Sequence, residues 1–115
     1  MTINELPQNE QQALGTLHQT LVERFGDLIQ DVILFGSKAR GDDRSASDID
    51  VLVVVNSEDW RIHKEINYLA VDIGLRYDVF NLSPRIWSTH HLEQMAAIDA
   101  AIYQQIRQDG IALAR

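Results

Sequence analysis

Residues 32–55, VILFGSKARGDDRSASDIDVLVVV, constrain this chain more than any other stretch. An apolar run, Val32-Ile33-Leu34-Phe35, stops at Gly36-Ser37. Ten residues later Asp48-Ile49-Asp50 lead directly into Val51-Leu52-Val53-Val54-Val55. The pattern reads as two strands joined by a polar loop. Residues two apart on a strand face the same way, so Asp48 and Asp50 present two carboxylates on one face of an otherwise apolar strand. Left alone, such a pair repels and resists desolvation. A divalent cation relieves both costs, and Mg²⁺ favours carboxylate oxygens together with substrate phosphates.

The glycine-serine pair supplies the complementary half of a phosphate site. Gly36 permits a sharp turn and close approach of backbone to ligand. A helix starting near Ser37 would aim its free N–H groups and a hydroxyl at an anion. Lys38 and Arg40 add cationic reach, and Gly41-Asp42-Asp43 returns the chain toward the second strand. Donors on one side and paired carboxylates on the other describe a nucleoside triphosphate site. The loop lacks the G-x-x-x-x-G-K-[ST] of a P-loop, and Ser37 lacks the G-x-S-x-G elbow of a nucleophile. No EF-hand spacing surrounds the two acids. The four histidines are scattered, and adjacent His90 and His91 cannot share a helix face, which argues against zinc.

The flanking segments supply cover for this strand pair. Residues 1–7 read as a loose arm. Asn9, with Gln12 three residues on, suits a helix start. Leu14, Leu17, Leu21 and Phe25 then form one helical stripe that ends at Gly26. Asn56-Ser57 suit the cap of a second helix with an inward stripe of Ile62, Ile66, Leu69 and Ile73, closed by Gly74. Trp60 and Tyr68 are expected at the core edge. Residues 76–82 read as a third strand. Ser83-Pro84 opens a helical segment around 85–89. One last helix carries Leu92, Met95, Ile98, Ile102 and Ile106 to Gly110, before a short extended tail. The expected fold is a single α/β domain over residues 1–115. Its mixed sheet has strands near 31–35, 48–55 and 76–82, with helices packed mainly on one face.

Composition bears chiefly on partners. The net charge is −7, from 17 acidic and 10 basic residues, which disfavours nucleic acid and suits a basic protein partner. Solubility alone also accounts for such a balance. There is no cysteine, hence no disulfide or thiolate site. Neither a signal peptide nor a run of membrane-spanning length is visible, so a cytoplasmic location is expected.

The string Gly36-Ser37, ten residues, Asp48-Ile49-Asp50 resembles the G-S-x10-D-x-D signature of the polymerase-β-like nucleotidyltransferases. The wider text LFGSKARGDDRSASDIDVLV most resembles their minimal, stand-alone members. The resemblance implies a polymerase-β-like core in which the strand after the second helix supplies a third acid, a place matched by Asp78. A pairing of Asp78 with Arg76 or Lys38 is the structural alternative. It implies two Mg²⁺ ions at Asp48, Asp50 and Asp78, ATP as substrate, and phosphate contacts from Gly36, Ser37, Lys38 and Arg40. It further implies an antitoxin that transfers AMP to a tyrosine of a small helical HEPN-type ribonuclease toxin. Two rivals stand beside that reading. One is the catalytic subunit of a two-chain transferase acting on a small molecule such as an aminoglycoside. The other is an antitoxin that acts by occlusion alone.

Overall fold

Strands β1 (Ile29–Phe35) and β2 (Ile49–Val55) pair antiparallel and form the centre of a four-stranded mixed sheet ordered β3-β2-β1-β4. The computed structural model describes residues 5–41 and 47–113. Helix α1 (Gln8–Phe25) precedes β1, and the single helical turn α2 (Ser37–Arg40) follows it. From β2 the chain crosses through α3 (Trp60–Arg76) to β3 (Leu82–Ser88), which lies parallel to β2. Helices α4 (Thr89–Ala97) and α5 (Ala101–Asp109) lead to β4 (Ile111–Ala112), which pairs antiparallel with β1.

Strand alternation divides the core in two. Ile49, Val51, Val53 and Val55 point to one face, where they meet Leu14, Leu17 and Leu21 of α1 and Ile66, Ala70 and Ile73 of α3. Leu52 and Val54 point to the other, where Phe35, Trp87 and Ile106 join them under α4 and α5. The two long helices thus share one face, as expected, and two short helices cover part of the other. Asp50 lies on the short-helix face by the same alternation. No described helix is long and apolar enough to cross a membrane.

Several expectations are corrected. The third strand is 82–88, not 76–82, and residues 85–88 are strand rather than helix, with Thr89 opening α4. Ile86 and Trp87 continue the alternation begun at Leu82, so the strand places Trp87 opposite Val54. Pro84 is tolerated because β3 is an edge strand. The last helix is broken in two at Asp99, whose φ is 50°, a left-handed value that ends α4. Helix α3 starts later than expected, capped by the Asp59 carboxylate accepting from Arg61 N at 3.0 Å. Helix α1 begins directly after Pro7. Asn9 lies inside it and donates to the Tyr77 carbonyl. Leu6 is buried and its carbonyl accepts from Gln11 Nε2, so the expected loose arm is already packed by residue 6. Trp60 and Tyr68 are exposed rather than at the core edge. Asp42 and Asp43, assigned to the returning loop, lie outside the described residues.

Candidate active site

Phe35 and Asp50 are register partners, so the chain turns at Gly36 immediately beside the Asp50 side chain. Gly36 has φ 79°, a conformation that L side chains rarely adopt. A Cβ at this position would collide with Asp50 Oδ2. Glycine is therefore required twice, for the turn and for the carboxylate seated against it. The turn leads into α2, closed by Arg40 N donating to the Gly36 carbonyl at 3.1 Å. In such a turn the amides preceding residue 40 have no intrahelical acceptor one turn back. Ser37 opens the turn half-buried, and Gly41 ends it in the left-handed region.

Asp48 is exposed just before β2 and Asp50 is half-buried within it. Asparagine 81 fixes their approach: its carbonyl accepts from Ile49 N at 2.9 Å, and its Nδ2 donates to the Ser47 carbonyl. These two bonds clamp the peptide that carries Asp48. The Asp50 pKa is raised above the usual 3.8, first by burial and then by Asp48, while Arg85 and Arg40 oppose the shift. Burial and a like-charged neighbour thus both disfavour the charged form of Asp50, and a bound cation would offset both. Their oxygens suit hard divalent ions, so they fit the Mg²⁺ that the resemblance implies.

Arg85 is the site residue that sequence reasoning missed. In β3 it pairs with Leu52, and Ser83 pairs with Asp50. Ser83 and Arg85 therefore flank Asp50 on the same face. Arg40 reaches that face from α2 and forms an ion pair with Asp109 of α5 at 3.3 Å. Two guanidinium groups thus act on Asp50 from opposite neighbours in the fold.

Two expected members are corrected. Asp78 does not occupy a strand. It is exposed in the turn between α3 and β3, with φ 58°. The turn forms because Val79 N bonds back to the Gly74 carbonyl at 2.8 Å. Asp78 lies at the sheet end that carries the pair, but the register gives the place beside Asp50 to Ser83. Among the described residues no three His, Cys, Asp or Glu side chains gather as a metal group. Lys38 is fully buried, with its Nζ 3.2 Å from Glu10 Oε1. A lysine so placed holds α2 to α1 and does not extend to a solvent-borne phosphate. Glu10 Oε1 has no aligned hydrogen-bond donor, so charge more than direction holds the contact.

A family model described as "Nucleotidyltransferase domain" matches residues 14–104. The chain belongs to the nucleotidyltransferase domain family. Two Methanocaldococcus jannaschii chains named as candidate protein adenylyltransferases are similar to it. One is 39% identical over 69 residues, 57% of this chain and 46% of that protein. The other is 44% identical over 46 residues, 40% of this chain and 46% of that protein. The matched regions span about half the length of these relatives. A solved structure from Sulfolobus solfataricus, described as a candidate nucleotidyltransferase, aligns with TM-score 0.44 and 17% identity over 94% of this chain and 88% of that one. The paired acids and the glycine turn lie within the matched segment.

Proposed function

We propose that this nucleotidyltransferase transfers AMP from ATP to a tyrosine hydroxyl of a small helical HEPN-type ribonuclease toxin, and thereby acts as its antitoxin. The observation that carries the transfer chemistry is the Asp50 carboxylate seated on the Gly36 backbone, with Asp48 beside it and Arg85 and Arg40 acting on it. A protein acceptor is supported by the names of the two M. jannaschii relatives. A basic RNA-binding partner is supported by the net charge of −7.

Asp48 and Asp50 would hold two Mg²⁺ ions, which when bound neutralise triphosphate charge and lower the pKa of the acceptor hydroxyl. Ser37 and the amides of its turn orient the phosphates. Arg85 and Arg40 compensate charge on the departing group. The tyrosine oxygen attacks the α-phosphorus, and the bond from that phosphorus to the bridging oxygen breaks. Pyrophosphate leaves with the bond electrons. The hydroxyl proton would leave to solvent, since both acids of the pair would be occupied by the cations. The added phosphate would then repel substrate RNA from the toxin.

Intact-mass spectrometry of the toxin, incubated with this protein, ATP and Mg²⁺, tests the reading. The expected result is a mass increase of one or more AMP units, retained after the complex dissociates. Toxin protection without a mass increase, persisting in an Asp48/Asp50 double variant, establishes occlusion instead. Transfer to an aminoglycoside with none to protein establishes the small-molecule alternative.

A further inference from the structure

The place beside Asp48 is held by an amide. In the parallel ladder of β2 and β3, Ile49 pairs with Leu82 and Asp50 with Ser83. One step back along that register, residue 81 comes beside residue 48. The Ile49 N–H donates to the Asn81 carbonyl at 2.9 Å, so the register holds to this point although β3 begins at Leu82. By strand alternation, residue 81 shares the face of Ser83, where Asp50 stands. A carboxylate there would be a third acid of the group. Asn81 instead brings a neutral carboxamide, whose Nδ2 donates to the Ser47 carbonyl across 34 positions of sequence.

The two bonds bracket Asp48, one on the residue before it and one on the residue after. Asp48 is exposed, so packing of its own side chain does little to orient it. The direction of its carboxylate follows from the backbone at residues 47–49, which these bonds restrain. They are not equivalent. The bond to the Asn81 carbonyl belongs to the ladder and survives any side chain at that position. The bond from Nδ2 depends on the carboxamide. Alanine has no donor to give, and an ionised aspartate has the same shape but accepts only. We infer that Asn81 is a positioning residue. Its carboxamide holds Asp48 in the orientation in which the acid pair takes a divalent cation, and so sets the affinity of the pair for that ion. The inference rests on the reading of Asp48 and Asp50 as the metal-holding acids. Groups that orient a metal ligand without touching the ion are worth about ten- to a hundredfold in metal affinity.

Electron paramagnetic resonance of Mn²⁺ titrated into nucleotide-free protein tests it, with Mn²⁺ as the spin-bearing substitute for Mg²⁺. Asn81→Ala should raise the Mn²⁺ dissociation constant by about tenfold or more, with an unchanged circular dichroism spectrum because the ladder bond remains. Asn81→Asp brings one more negative charge, which by charge alone would tighten binding. Having lost the N–H, it should instead bind Mn²⁺ more weakly than the parent. In the transfer assay, the Mg²⁺ concentration for half-maximal rate should rise in both variants, while the rate at saturating Mg²⁺ stays near that of the parent. If the parent binds Mn²⁺ and Asn81→Ala binds it equally well, the inference fails and the role of the acid pair stands. An Asn81→Asp variant that binds more tightly than the parent also overturns it, since residue 81 would then be a place for a ligand and not for a clamp. A parent with no affinity for Mn²⁺ overturns the inference together with the reading of the pair beneath it.

Discussion

At the residue scale, the proposed chemistry rests on two acids, and the fold disfavours the charged form of Asp50. Asp50 is partly buried beside Asp48 and has its pKa raised. Asp50→Asn or Asp48→Asn should therefore abolish nucleotide transfer while leaving the chain folded. Labelled-ATP transfer and a circular dichroism melt report the two effects separately. Arg85→Gln removes one of the two guanidinium groups acting on Asp50. It should lower the transfer rate by about a hundredfold, the scale of one lost charge-stabilising donor. An unchanged rate would place Arg85 outside the reaction. Asp48, Asp50 and Gly36 were legible in the sequence because their relation is local: alternation along one strand and a glycine before one turn. Arg85 was not legible, since its position depends on which residue of a parallel strand comes opposite Leu52. Such a register is set by tertiary pairing, not by neighbours in the chain. Lys38 shows the reverse error. Its place next to Ser37 suggested a phosphate ligand, but a glutamate 28 positions earlier, Glu10, takes its charge into the core.

At the element scale, α2 is a single turn, too short to persist alone, and its geometry is set by its attachments. Lys38 anchors it to α1 through Glu10, and Arg40 anchors it to α5 through Asp109. Lys38→Met should cost about 3–5 kcal/mol of stability, because it strands the buried Glu10 carboxylate. Lys38→Met combined with Glu10→Gln should recover much of that loss, as both charges are then gone. Denaturant unfolding of the four proteins in this cycle measures the coupling. A double variant as unstable as Lys38→Met alone would show that the ion pair is not what holds the turn. The helices and central strands were readable because their periods are strong: 3.6 in Leu14, Leu17 and Leu21, and an unbroken apolar run in β2. The third strand was displaced by six residues because Tyr77, Val79 and Phe80 have strand-forming side chains but lie where α3 must turn back. Gly74 sets that turn: a Cβ there would come within 2.7 Å of the Val79 carbonyl oxygen. The split between α4 and α5 escaped detection for a related reason. A left-handed Asp99 carries no period, and the apolar spacing continues across it.

At the scale of the whole molecule, the paired acids leave a signature in how stability varies with pH. Folding raises the pKa of Asp50 above its ordinary 3.8. The folded chain therefore holds the Asp50 proton more tightly than the unfolded chain does. The resulting destabilisation is absent below pH 3.8, develops as pH rises through the raised folded value, and is complete above it. Asp59 behaves oppositely. Its pKa is lowered, mainly by the Arg61 backbone amide at the start of α3. Its contribution is present above the ordinary carboxylate value and is lost as pH falls through the lowered one. The sum over all acids obscures either effect in a single protein, so the informative quantity is a difference between variants. Metal-free Asp50→Asn should be more stable than the metal-free parent at pH 7. That advantage should shrink as pH falls toward 3.8 and vanish below it. Adding Mg²⁺ at pH 7 should narrow the gap from the other side, since a cation bound only by the parent stabilises its folded state by mass action. Thermal melts of both proteins across pH, with and without Mg²⁺, measure this. A stability difference that stays constant with pH would mean that Asp50 is not strained by burial and by Asp48. A parent whose melting temperature ignores Mg²⁺ would mean that the pair does not hold the ion.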